Sequence, residues 1–314
     1  MTSVAARSLG VAALAGVLAG APAASAAAPR PAPSPLHLQV QRVYTLQAAR
    51  VALLHQRVRI VGVAPTAVGQ AVRITVRIGR RTVVRVARTE QADGTFSFEL
   101  KAHHAGLLRA FGSVPGSARV RSRAVQVIVP GAGPGTRGIR VVFLQHRLRD
   151  LHYLVPLSGY YDSGTALAVM AYRKVSRLSR TYTASRQVFQ RLALHRGGFP
   201  VRYPNHGKHA EANLSRQVLA LINPNGNVYW VLTLSSGKPS TPTVLGSFHV
   251  YSQTPGYNAE GMLDSNYFIG GYAIHGYADV PPYAASHGCL RIPIRDARLV
   301  MRWLRLGDRV DVYR

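Results

Sequence analysis

The 314-residue sequence predicts a multidomain chain: an N-terminal antiparallel β-sandwich, a small three-helix module, and a C-terminal mainly-β domain with one late helix. Three observations carry this. Hydrophobicity alternates with period two across 36–130, switches to helical spacing across 138–195, and returns to a mixed strand pattern over 215–314. Pro- and Gly-rich breaks separate the blocks. An apolar content of 47% is enough to supply each block with a core.

The first 26 residues predict a signal peptide. Arg7 precedes an apolar stretch from Leu9 to Ala21, and Ala24, Ser25 and Ala26 suit a signal peptidase. The mature chain is then expected to begin near Ala27, to be secreted, and to work outside the cytoplasm at the cell wall. No later segment reaches the roughly 20 apolar residues of a bilayer span, so no stable membrane span is expected in the mature chain. Residues 27–35, rich in Ala, Pro and Arg, form a linker.

Between 36 and 130, Val72, Ile74, Val76 and Ile78 alternate with polar residues, as do Phe96, Phe98 and Leu100. Such runs are half-buried strands. Asp93–Gly94 and Gly79–Arg80 provide turns, and Val125, Val127 and Val129 end the series before Pro130. The pattern resembles the immunoglobulin-like modules of secreted bacterial proteins. Residues 131–137 are a Gly/Pro linker.

From 138 to 195 three helices are expected. Val141, Leu144, Leu148 and Leu151 mark the first, Asp162 or Ser163 caps the second, and Ser185 opens the third. The arrangement of Leu144, Gln145, Leu148, Tyr153, Gly159, Tyr161, Asp162, Thr165 and Tyr172 resembles the small three-helix peptidoglycan-binding domain. That resemblance implies glycan binding. A connection over 196–214 follows.

Over 215–314, Val218, Ala220, Ile222 and then Val228, Trp230, Leu232 read as strands joined at Asn223–Gly226. Asp296 is expected to cap a late helix with Leu299, Val300, Trp303 and Leu304 on its apolar face and Gly307 at its C-terminal turn. Val310 and Val312 make a final strand.

Composition narrows the function. There are 39 Lys+Arg against 12 Asp+Glu, a formal charge of +27, which favours polyanionic partners. Zinc-finger spacing, an RNP-like strand and an arginine-rich recognition helix are all absent from the sequence, so nucleic acid is not the expected partner. Anionic wall polymers fit an exported chain better. His206 and His209 have metal-ligand spacing, but no Cys or carboxylate set completes a site in the sequence, and neither metal nor other cofactor is expected.

The single cysteine, Cys289, rules out an intramolecular disulfide. It lies in the segment Tyr272–Pro293, YAIHGYADVPPYAASHGCLRIP, with Ser286, His287 and Gly288 before it and His275 and Gly276 upstream. A free thiol, with a pKa near 8.5, needs a base to become a nucleophile at neutral pH. An imidazole meets that need when a third group orients it. Attack also places charge on a carbonyl oxygen, and Gly288 lets the main chain come close.

This string, His275-Gly276 followed by Ser286-His287-Gly288-Cys289 and Arg291, resembles the signature of the L,D-transpeptidase catalytic domain, the YkuD family. Thr243, Leu245, Gly246, Phe248 and Val250 are similar to a second stretch of that family. The resemblance implies a cysteine acyltransferase that cross-links peptidoglycan. Cys289 would form a thioester with a stem peptide and pass it to an amine. His275 would be the base, with His287 its rival, and the Gly276 carbonyl would orient the imidazole. Arg291, together with Tyr272, would contact substrate. The same thioester resolved by water would give an L,D-carboxypeptidase or endopeptidase, and a non-catalytic wall-binding protein is the alternative of a different class.

Overall fold

The computed structural model describes residues 36–46, 49–115 and 117–314. The expected signal peptide and the linker through Pro35 lie outside the described residues.

Ten strands follow Leu36: β1 (His37–Gln41), β2 (Tyr44–Thr45), β3 (Arg50–Leu53), β4 (Arg57–Val63), β5 (Ala71–Ile78), β6 (Arg81–Arg88), β7 (Thr95–Lys101), β8 (Gly106–Gly112), β9 (Val120–Arg121) and β10 (Val125–Ile128). They form a three-stranded sheet, β1-β4-β7, and a seven-stranded sheet ordered β2-β3-β10-β8-β5-β6 with β9 beside β8. The two sheets share one core, in which Val40, Ile60 and Phe96 of the smaller meet Ile74, Val76, Leu108 and Val127 of the larger. The alternation in β5 faces Val72, Ile74, Val76 and Ile78 inward, as period two requires. At the edge, β6 exposes Arg81, Arg85 and Arg88, charges that discourage pairing with another chain.

Three helices come next, α1 (Ile139–Asp150), α2 (Ser163–Val175) and α3 (Arg186–Ala193). Asp162 accepts the Thr165 N–H at 2.8 Å and so caps α2. The expected module is corrected in one respect: the helices have no core of their own. Val169, Tyr172 and Val175 of α2 are buried in one cluster with Val218, Ala220, Ile222 and Val231 of the following sheet. A helix bundle this small gains more apolar burial by docking on a sheet than by closing on itself.

The last part has β11 (His209–Asn213), β12 (Val218–Ile222), β13 (Val228–Thr233), β14 (Gly246–His249), β15 (Ser252–Tyr257), β16 (Leu263–Ile269), β17 (Tyr272–Tyr277), β18 (Leu290–Pro293), α4 (Ile294–Trp303) and β19 (Arg309–Tyr313). They make a five-stranded sheet, β13-β12-β11-β19-β14, and a four-stranded sheet, β15-β16-β17-β18. All five residues of β12 are buried. Its Val218, Ala220 and Ile222 face the helices, while Leu219 and Leu221 join the core with Phe268, Ile274, Leu290 and Val310. An unbroken apolar run is what a strand covered on both faces needs.

Two expectations shift here. The first strand of the five-stranded sheet lies before residue 215, in the segment read as a connection. Its sequence, HAEAN, hides because its polar members are buried and paired: Glu211 accepts the Arg202 and Tyr203 N–H groups at 2.9 and 2.8 Å and the Tyr313 hydroxyl at 2.6 Å. Asp296 is not the cap of α4, because Pro293, already closing β18, stands at the N-cap and the helix starts at Ile294. Asp296 instead lies buried in the first turn, and burial raises its carboxyl to about 6. Gly307, at φ +85°, turns the chain into β19 after α4 has ended at Leu304 without a left-handed cap.

Candidate active site

Parallel pairing of β17 and β18 builds the site. It sets His275 opposite Arg291 and Gly276 opposite Ile292, with Cys289 one residue ahead of β18. Cys289, His275, Ser286, His287, Arg291 and Tyr277 line a common cavity of about 450 Å³.

Glycines permit this approach at two positions. Gly276 lies against α4, where a Cβ would come within 2.7 Å of the Ala297 Cβ. Gly288 has φ +122°, and a Cβ there would overlap the Tyr272 ring at 2.1 Å. Tyr272 is therefore a wall behind the nucleophile's backbone. At the start of β17 its ring packs against Gly288.

The loop before Cys289 is held at nearly every turn. The Ser286 hydroxyl donates to the Cys289 carbonyl at 2.6 Å and accepts the Gly288 N–H at 3.1 Å. The Ala285 and Ser286 N–H groups both donate to the Ser236 carbonyl, and Lys238 N–H donates to the Ser286 carbonyl. Thr243 donates its hydroxyl to the Gly288 carbonyl at 2.7 Å. Ser235 and Arg291 exchange backbone hydrogen bonds at 2.9 and 3.0 Å. Sequence reasoning missed this bracket of Ser235, Ser236, Lys238 and Thr243. Only Thr243 lay in a recognisable stretch, and the others act mainly through main-chain atoms, which leave no residue signature.

His275 is 2% exposed. Its Nδ1 lies 3.0 Å from the Gly276 carbonyl, which can only accept, so Nδ1 carries the proton and Nε2 is left with its lone pair. Burial lowers the imidazole to about 4, the Gly276 hydrogen bond opposes this, and the nearby Arg291 guanidinium lowers it further. Burial likewise pushes the Cys289 thiol up, partly offset by a backbone hydrogen bond from Ala273 and by Arg291. Sγ reaches the Gly271 carbonyl only at 3.6 Å. The Arg291 guanidinium lies 4.0 Å from the centroid of Tyr277. His287 is exposed, with Nε2 3.1 Å from Lys238 Nζ.

Both shifts favour a neutral thiol beside a neutral imidazole over a preformed ion pair. Alkylation of Cys289 by iodoacetamide should therefore be slower at pH 7 than for a free cysteine. Its rate should climb with pH through a midpoint above that of free cysteine, because a raised pKa reduces the thiolate fraction at neutral pH. A rate already on its plateau at pH 6 would show an ion pair and contradict this electrostatic reading.

The two histidines with metal-ligand spacing lie beside carboxylates. His206 Nδ1 is 2.9 Å from Asp311 on β19, and His209 Nε2 is 3.4 Å from Glu211, two residues along β11. They pair with them, and among the described residues no group of three or more His, Cys, Asp or Glu side chains is arranged to hold a metal ion. Among the described residues no helix is long and apolar enough to cross a membrane.

Residues 207–312 match the family of the L,D-transpeptidase catalytic domain (YkuD). The structure is similar to an L,D-transpeptidase from Xylanimonas cellulosilytica at 30% identity and TM-score 0.53, covering 59% of this chain and 98% of that one. It also matches an L,D-transpeptidase from Stackebrandtia nassauensis at 17% identity and TM-score 0.38, covering 58% and 95%. L,D-transpeptidase 1 of Mycobacterium tuberculosis matches at 23% identity and TM-score 0.28, covering 34% and 62%. No curated protein matches the chain. With the catalytic-domain match spanning the sheets that hold His275 and Cys289, and 98% of the Xylanimonas structure, which holds residues 123–326 of that enzyme, covered at 30% identity, the chain belongs to the L,D-transpeptidase family.

Proposed function

We propose that the chain is a cysteine-dependent L,D-transpeptidase that joins peptidoglycan stem peptides. The observation that carries this is a single cavity holding the only thiol of the chain and a buried, neutral His275 whose Nδ1 is engaged by the Gly276 carbonyl. Such an imidazole is oriented to take a proton at Nε2.

The chemistry follows in two steps. Sγ of Cys289 forms a bond to a stem-peptide carbonyl carbon as its proton passes to His275 Nε2. The peptide C–N bond then breaks, and the imidazolium returns that proton to the departing amine. In the second step an acceptor amine attacks the thioester, the C–S bond breaks, and the amine's proton returns by way of His275 to sulfur. Arg291, in the cavity wall, supplies a planar cation suited to a substrate carboxylate. The pattern of the first 26 residues supports export, and the +27 charge supports retention at an anionic wall.

Mass spectrometry of products from a disaccharide-tetrapeptide, with and without an added amine acceptor, tests the reading. Cross-linked material lacking the donor's C-terminal residue is expected. Trimmed monomer alone would assign the water-resolved reaction, and untouched substrate would overturn the enzymatic reading.

A further inference from the structure

We infer that Lys174, on helix α2 and outside the matched catalytic segment, is a positioning residue for the loop that presents Cys289; this rests on the nucleophile reading above. Lys174 is 2% exposed, yet none of its hydrogen-bond partners is a carboxylate. Its ammonium donates to the Gln217 carbonyl at 3.0 Å, the Leu234 carbonyl at 3.0 Å and the Thr233 hydroxyl at 2.5 Å. Three hydrogen bonds satisfy the buried nitrogen, while burial, with the nearby Arg180, lowers its pKa well below the ordinary lysine value.

The acceptors lead to the site. Gln217, whose carbonyl Lys174 holds, takes the Ser236 N–H on its side-chain oxygen at 2.8 Å and donates to the Ser236 hydroxyl at 2.6 Å. Ser236 in turn accepts the Ala285 and Ser286 N–H groups on its carbonyl, and Ser286 donates to the Cys289 carbonyl. An unbroken hydrogen-bonded path therefore runs from α2 to the nucleophile's own peptide group. The loop after α2 adds a second hold: Arg180 donates to the Ser215 carbonyl at 3.0 Å and to Pro282, between His275 and Ser286, at 2.6 Å. An apolar side chain would fill the Lys174 position at lower desolvation cost. A buried Lys174 nitrogen with three hydrogen bonds at the junction instead ties helix, sheet edge and loop together.

The test uses the full chain and a carbapenem, whose β-lactam C–N bond breaks as Sγ bonds to the carbonyl carbon and the thiol proton goes to the ring nitrogen. Adduct formation is followed by mass across carbapenem concentrations, which separates the limiting rate from half-saturation. In folded Lys174→Met, with Cys289 still stoichiometrically alkylated by iodoacetamide, the limiting rate should fall about 10–100-fold while half-saturation stays within about two-fold, as a nucleophile displaced by a fraction of an ångström requires. Gln217→Leu, which cuts the same path one step on, should fall in the same direction. An unchanged limiting rate in folded Lys174→Met would overturn the inference. Failure of both variants to fold would overturn it too, since the link would then serve the fold and not the placement of sulfur. Absence of an adduct in the unmodified chain would sink the nucleophile reading, a failure seen before any variant is made.

Discussion

Replacing Cys289 by Ala or Ser is expected to abolish acylation and turnover and to leave the fold intact. The thiol is the only one in the chain, and its polar contacts are modest, the 3.6 Å approach to the Gly271 carbonyl and a backbone hydrogen bond from Ala273. The loop around it is held by Ser286, Ser236 and Thr243, none of which needs sulfur. Stability should therefore change by about 1 kcal/mol or less, within the range of substitutions that open no cavity and orphan no buried charge. A serine hydroxyl is far less acidic than a thiol, and a neutral imidazole lowered to about 4 is a poor base for it. Circular dichroism, thermal melting and product analysis on both variants check this. Turnover retained in either one would remove Cys289 from the mechanism.

His275→Ala is expected to slow acylation of Cys289 by about 10²–10⁴-fold, the usual worth of a positioned general base, whereas His287→Ala should stay within about ten-fold of the unmodified chain. The two histidines lie in the same cavity but in different surroundings. His275 is buried on β17, opposite Arg291, with Nδ1 held by the Gly276 carbonyl. His287 is exposed, and its Nε2 lies 3.1 Å from Lys238 Nζ, with no backbone carbonyl among the described residues holding the ring as Gly276 holds His275. Following the carbapenem adduct by mass across pH separates the two roles. The reverse order of effects would move the base to His287 and leave His275 as a residue that ties β17 to its neighbour.

Much of this was legible in the sequence, for identifiable reasons. Alternation in β5 and β7 survived into the structure because each has one wet and one dry face. The run Val218–Ile222 read as a strand because both faces are dry. The constellation around Cys289 was visible because His275, Ser286, His287, Cys289 and Arg291, which line its cavity, lie within two strands and the loop between them. What escaped depends on contacts the chain order conceals. Strand β11 carries His209, Glu211 and Asn213 at buried positions, which read as a polar connection until Tyr313, a hundred residues on, is seen to bond Glu211. The helices read as a self-contained module because their apolar spacing does not say what they pack against, and the partner is β12 and β13.

The central claim is that the acyl group rests on the sulfur of Cys289. Intact-protein and peptide mass spectrometry of enzyme quenched in acid during turnover of the disaccharide-tetrapeptide tests it most directly. One added acyl mass is expected on the peptide containing Cys289, discharged by hydroxylamine as a thioester is, and absent from Cys289→Ala. Product formed at an undiminished rate by Cys289→Ala, or an acyl mass mapped to another residue, would contradict it.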